Sequence, residues 1–189
     1  MSFMPRILIL YAHATPHTSR VNRAMIEAAR ALPNVTVRDL YETSPDFHIN
    51  VAAEQALLDA ADLVVFQHPI QWYSMPALMK EWLDVVLEDG YAYGDGGNAL
   101  RGKGYWLCVT TGSPAAAYRV GGQHNHAFEA FLPQFHQTAR LCGMTWEPPL
   151  VLHGAHQVTG EDVAAHVARY VTSLMGYHGK VTRPDATSA

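Results

Sequence analysis

The sequence predicts a doubly wound α/β fold, one parallel sheet of five strands ordered 2-1-3-4-5 with helices on both faces. Two observations predict it. Short apolar runs rich in β-branched residues alternate five times with segments of helical period, the pattern of β-α units feeding one parallel sheet. The 189 residues fit one domain with a full core, and neither an internal repeat nor a linker divides them. Five doubly wound strands are most simply ordered 2-1-3-4-5.

ILILY (7–11) is the first strand. Val21, Met25, Ala28 and Leu32 then recur at helical spacing, and Pro33 ends that helix. VTVRDL (35–40) is the second strand, and the helix from Ala52 to Ala61 carries Leu57 and Leu58 on its apolar side. LVVFQ (63–67) precedes a helix from about Pro76 to Glu88, with Ser74 as its cap and Pro76 tolerated in the first turn. YWLCVTT (105–111) is the fourth strand, followed by a helix between about Ala127 and Leu141 that Pro133 bends or interrupts. PLVLH (149–153) and a helix from about Glu161 to Met175 complete a domain over residues 1–175. The tail GYHGKVTRPDATSA (176–189) lacks an apolar face and is expected to be flexible.

With 49% apolar and 16% charged residues the chain belongs among folded globular proteins. A net charge of −4 leaves no basic footprint for nucleic acid. No apolar run reaches the ~18–20 residues that span a bilayer. The first run, ILILY, is too short for a signal-peptide core, so a cytoplasmic location is expected. Cys108 and Cys142 lack C-x-x-C spacing and read as small buried hydrophobes, without a disulfide.

Ligands of such sheets bind beyond the carboxyl ends of the strands, where strand order reverses. The loops after strands 1, 3 and 4 meet there, and they carry the unusual residues. AHATPHTSRVN (12–22) opens a helix with hydroxyls and an amide but no G-x-G-x-x-G. Free amides at a helix N-terminus favour a phosphate, and Thr18, Ser19 and Asn22 add neutral hydrogen bonds suited to a monophosphate. The plainer alternative makes Ser19 an N-cap and Asn22 a surface residue.

HPIQWYSMP (68–76) offers Trp72 and Tyr73 to flank a planar ring, with backbone amides near Gln71 reaching its polar edge. Alternatively the two aromatics pack under the loop. In TTGSPAAAYRVGGQHNH (110–126) the Thr-Gly turn lets a ligand approach backbone amides, and Tyr118 and His124 can supply protons. His124 is also one of eleven histidines, on a polar loop. His124/His126 and His153/His156 invite a metal reading, but no carboxylate or Cys stands at partner spacing, so none is assigned. Neither a G-x-S-x-G elbow nor a P-loop is present.

Three spaced motifs, YAHATPHTS–N, QHPIQWYSMPALMKEWLDVV and YAYGDGGNAL–GK followed by VTTG, carry a family likeness. From Ile7 to Val171 the chain resembles the flavodoxin-like NAD(P)H:quinone oxidoreductases, and within them the ancillary subunits of bacterial glutathione-regulated potassium-efflux systems. The resemblance implies FMN, with FAD the alternative, and NAD(P)H as co-substrate. It implies flavin contacts at His13, at Ser19, Arg20, Val21 and Asn22, at Ile70, Gln71, Trp72 and Tyr73, and at Thr110, Thr111, Gly112 and Ser113. The family's Tyr–His helper pair for hydride transfer falls on Tyr118 and His124. It also implies a homodimer with the active site at the subunit interface.

One departure is TTGSP where relatives often read TTGG: Ser113 costs backbone freedom and Pro114 removes a donor. Some efflux-subunit relatives lack the aromatic pair, and Trp72–Tyr73 favours a working flavin. The expected activity is two-electron transfer from NAD(P)H through flavin to a quinone, nitro and azo compounds being alternative acceptors. The rival expectation is a regulatory subunit docked on the cytoplasmic face of a potassium/proton antiporter, with flavin as a structural element.

Overall fold

A computed structural model describes residues 4–179. Its five strands are β1 (Ile7–Tyr11), β2 (Val35–Asp39), β3 (Leu63–Pro69), β4 (Gly104–Thr110) and β5 (Thr145–Leu152). They form one parallel sheet in the order β2-β1-β3-β4-β5. The helices are α1 (Arg20–Ala29), α2 (Leu40–Thr43), α3 (Val51–Ala60), α4 (Ala77–Val86), α5 (Pro133–Leu141) and α6 (Gly160–Met175).

Strand side chains alternate between two cores, as period-two geometry requires. Ile7, Ile9, Val65 and Cys108 face α1 and α6, packing on Met25, Val163 and Tyr170. Leu8, Leu10, Val64, Phe66 and Leu107 face α3, α4 and α5, packing on Leu58, Met79, Trp82 and Phe135. Helices therefore cover both faces. The central strands are buried on both sides, which is why they read as unbroken apolar runs rather than alternating ones. Cys108 and Cys142 are free and buried.

Several boundaries differ from the sequence reading. β2 stops at Asp39, whose carboxylate accepts from the Tyr41 and Glu42 amides and starts α2, so Leu40 belongs to a helix. Ser74 does not cap α4: that helix begins at Ala77 behind Pro76, and the Ser74 hydroxyl donates to Gln134 Oε1 at 3.0 Å. The segment after Ala127 is a 3-10 turn over Phe128–Phe131, and Pro133 then opens α5 at a first-turn position where its missing N–H costs nothing. β5 begins four residues early, at Thr145, and tolerates Pro148 and Pro149 because it is an edge strand with a register shift opposite Trp106 and Cys108. Tyr177, assigned to the tail, is half-buried with its hydroxyl donating to the Asp62 carbonyl; residues 180–189 of that tail lie outside the described residues.

Two histidines are sealed inside. His68 on β3 and His166 on α6 are 1% and 0% exposed, and burial lowers the pKa of each from 6.5 to about 4. A depressed folded-state pKa means that the unfolded chain takes up the proton first. The stability these neutral rings carry is full above pH 6.5 and is lost as pH falls toward about 4, by about 3 kcal/mol for His68. Urea midpoints should therefore fall between pH 7 and pH 4.5, and fall less in His68→Leu. Equal falls in both proteins would contradict this.

Candidate active site

The loops after β1, β3 and β4 converge at the carboxyl end of the sheet around a pocket of about 260 Å³. From the first loop and α1 come His13, Thr18, Ser19, Arg20, Val21 and Asn22. The β3 loop supplies Ile70 and Gln71, and the β4 end supplies Thr110, Thr111 and Gly112. The lining holds hydroxyls, amides, histidines and one arginine but no carboxylate. That donor set fits an anion.

Local structure explains each donor. Ser19 precedes α1 yet makes no side-chain cap, so its hydroxyl and the first α1 amides stay uncommitted to the helix. Ser19 is therefore not an N-cap of the usual kind. The Thr15 amide donates to His13 Nδ1 at 3.2 Å, which places the ring proton on Nε2. Burial, then the neighbouring His156, lowers the His13 pKa, so the ring is a neutral donor. Arg20 is tethered to the Val158 carbonyl.

Asn22 is not a surface residue. It is 2% exposed, and its amide donates to Thr110 Oγ1 at 2.9 Å. Gln67 Nε2 donates to the Asn22 carbonyl at 3.2 Å, and Tyr170 donates its hydroxyl to Gln67 Oε1 at 2.8 Å. This buried chain ties α1, β3, β4 and α6 into a rigid floor.

Trp72 and Tyr73 stand outside the pocket, at the tip of a two-residue reverse turn closed by reciprocal backbone bonds between Gln71 and Ser74. Both carry positive φ, 47° and 64°, a conformation usually reserved for Asn-Gly in such turns. Trp72 is 93% exposed. It is not packed under the loop. Strain of about 1–2 kcal/mol per residue is being held on two aromatic side chains. Tyr73 recovers part of it by stacking on Phe131 at 4.9 Å. Trp72→Asn with Tyr73→Gly should raise Tm by about 2–4 °C while impairing ligand binding; a lower Tm would contradict the strain.

Tyr118 and His124 stack on each other at 4.3 Å, with His124 Nδ1 3.4 Å from the Tyr73 hydroxyl. They form an aromatic cluster beside the pocket with Phe128, Phe131 and His153. Burial raises the Tyr118 pKa, while the Thr111 hydroxyl beside the phenol opposes the rise. Thr111 lines the pocket, so it joins cluster and cavity.

Ser113 does not line the pocket, and its φ is not positive, so serine costs nothing there. Its carbonyl accepts from the Gly154 amide and the Thr111 hydroxyl. The loop after β5, whose His153 and His156 the sequence offers only as an unassigned metal pair, also belongs to the site: Ala155 and His156 close the pocket and His153 joins the cluster. The available signal was H-G-A-H directly after a strand end. No group of three metal-ligating side chains exists among the described residues. There, too, no helix is long and apolar enough to cross a membrane.

Fold and pocket together define a doubly wound α/β protein with a polar, carboxylate-free crevice at its switch point. The chain belongs to the family whose description is flavodoxin-like fold, its model matching residues 5–174. One relative, the glutathione-regulated potassium-efflux system ancillary protein KefG of Cronobacter sakazakii, is 47% identical over 171 residues, 90% of this chain and 92% of that one. Among solved structures, general stress protein 14 from Treponema denticola, in complex with FMN, is 37% identical with a TM-score of 0.85, covering 90% of this chain and 98% of its own. An NADPH-quinone reductase from P. pentosaceus is 27% identical with a TM-score of 0.83, covering 91% and 99%.

Proposed function

We propose that the chain is a flavin-dependent NAD(P)H:quinone oxidoreductase that binds FMN. The observation that carries this reading is the pocket itself, a carboxylate-free set of hydroxyl, amide, histidine and arginine donors at an uncapped helix N-terminus beside a strained aromatic turn. The FMN-bound and NADPH-quinone reductase neighbours support it. Flavin, when bound, supplies the hydride chemistry.

The chain's own residues supply position and protons. His13, Thr18, Ser19 and the α1 amides up to Asn22 hold the phosphate. Ile70, Gln71 and the stretch Thr110–Gly112 line the ring's place, and Trp72 and Tyr73 stand at the turn beside it, outside the pocket lining. Tyr118 holds its phenolic proton, and His124 beside it offers a second titratable group, so the pair can hand protons to a reduced acceptor. The exposed Trp72 suits a second copy of the chain covering the site.

FMN-loaded protein should reduce a simple benzoquinone with NADPH or NADH. No turnover with any quinone, nitro or azo acceptor would refute the enzyme reading.

The KefG relatives favour a second role on the same scaffold, as an ancillary subunit on the cytoplasmic face of a potassium/proton antiporter. Co-purification with a membrane antiporter tests it, and its failure leaves the reductase reading standing.

A further inference from the structure

β5 does more than close the sheet. Its carboxyl end is lashed to the β4 loop by three backbone bonds: Thr111 N–H to Leu152 O (2.9 Å), Gly154 N–H to Ser113 O (2.9 Å) and Ala155 N–H to Thr111 O (2.8 Å). They hold His153 in fixed register with Thr111. The His153 Nδ1 lies 3.0 Å from Thr111 Oγ1, and its ring lies 5.2 Å from that of Tyr118 and 4.9 Å from that of Phe128.

The direction of the hydrogen bond follows from counting protons. Thr111 is 1% exposed and has one hydroxyl proton. Its oxygen also lies 2.8 Å from the Ser113 carbonyl, which can only accept, so Thr111 donates there. The Nδ1 of His153 must then carry a proton and donate to Thr111, since two unprotonated lone pairs facing each other at 3.0 Å would repel. Burial lowers the His153 pKa, opposed by Glu129 on the neighbouring 3-10 turn, so the ring is neutral at pH 7 and Nε2 is free to accept.

We propose that His153 is a positioning residue for the reductase site. It donates Nδ1–H to the Thr111 hydroxyl, fixing the group that both lines the pocket and meets the Tyr118 phenol, and its ring backs Tyr118 directly. This support comes from the residue that directly follows β5. The inference rests on the reductase reading for its kinetic consequence and on the hydrogen-bond geometry alone for its structural one.

Two measurements test it. In the first, long-range ¹H–¹⁵N spectra of the full chain carrying ¹⁵N-histidine give the tautomer of each ring, with His153→Asn identifying the His153 signals. The Nδ1–H form is expected for His153 and should be lost in Thr111→Val. An Nε2–H form in the parent protein would overturn the proposal.

In the second, His153→Leu, which cannot donate, should lower kcat about tenfold with KM for the quinone within about twofold and flavin content unchanged. His153→Asn puts an amide N–H near the Nδ1 position and should restore most of the loss. Parental kcat in His153→Leu would overturn the proposal. A parent protein without reductase activity would instead refute the proposed function, and the tautomer and its loss in Thr111→Val would still decide the His153 link.

Discussion

Tyr118→Phe combined with His124→Gln should lower kcat by about 10²–10⁴-fold while the flavin stays bound. The substitution removes one hydroxyl and one titratable ring from a pair stacked at 4.3 Å, outside the lining of the anion pocket. Cofactor affinity should therefore stay near the parental value, and the loss should appear in kcat. The single variants should sum to more than the double, because the two groups share a stacking face and one proton path. An unchanged kcat in the double variant would take both residues out of the mechanism.

The largest stability effect is expected far from the site. Glu54, 1% exposed in the first turn of α3, accepts from Arg38 Nε of β2 at 2.7 Å and from the Trp82 indole of α4 at 3.0 Å. Glu54→Ala leaves a half-buried guanidinium without its partner and a buried indole N–H without an acceptor. The expected cost is about 3–5 kcal/mol, read as a lower urea midpoint. Glu54→Gln keeps an acceptor for Trp82 and should cost less. A loss under about 1 kcal/mol in Glu54→Ala would show the pair to be dispensable. The reductase site should be intact in the folded fraction of either variant, since this network lies at the β2 edge.

The sheet order was legible because the central strands are buried on both faces and so appear as dense apolar runs. The edges were harder. β5 carries Pro148 and Pro149, which argue against a strand unless the strand is an edge, and edge status is a tertiary fact. α2 is a single turn nucleated by the Asp39 side chain, too short for any periodicity to register. At the site, loop identity was readable from topology, so Thr18, Ser19 and Asn22 could be named from the loop itself, while His13 came only from the family resemblance. His156 could not, because it reaches the pocket from a strand that the switch-point rule does not single out. The third motif shows the converse. YAYGDGGNAL reads as a signature, yet none of its residues lines the pocket; Gly97 packs so tightly that a Cβ would fall 1.8 Å from the Tyr93 carbonyl. That motif is a folding requirement of the loop before β4. The Trp72–Tyr73 strain was equally hidden, since a reverse turn that wants Asn-Gly gives no sequence warning when it holds two aromatics.

Whether this crevice holds a redox-active flavin is decided by a visible absorption spectrum taken before and after anaerobic NADPH addition. Oxidised flavin bands are expected, native or after FMN reconstitution, that bleach with NADPH or NADH and return on adding a quinone. A protein that stays colourless after incubation with FMN or FAD, or whose bands persist with both nicotinamides, would contradict it.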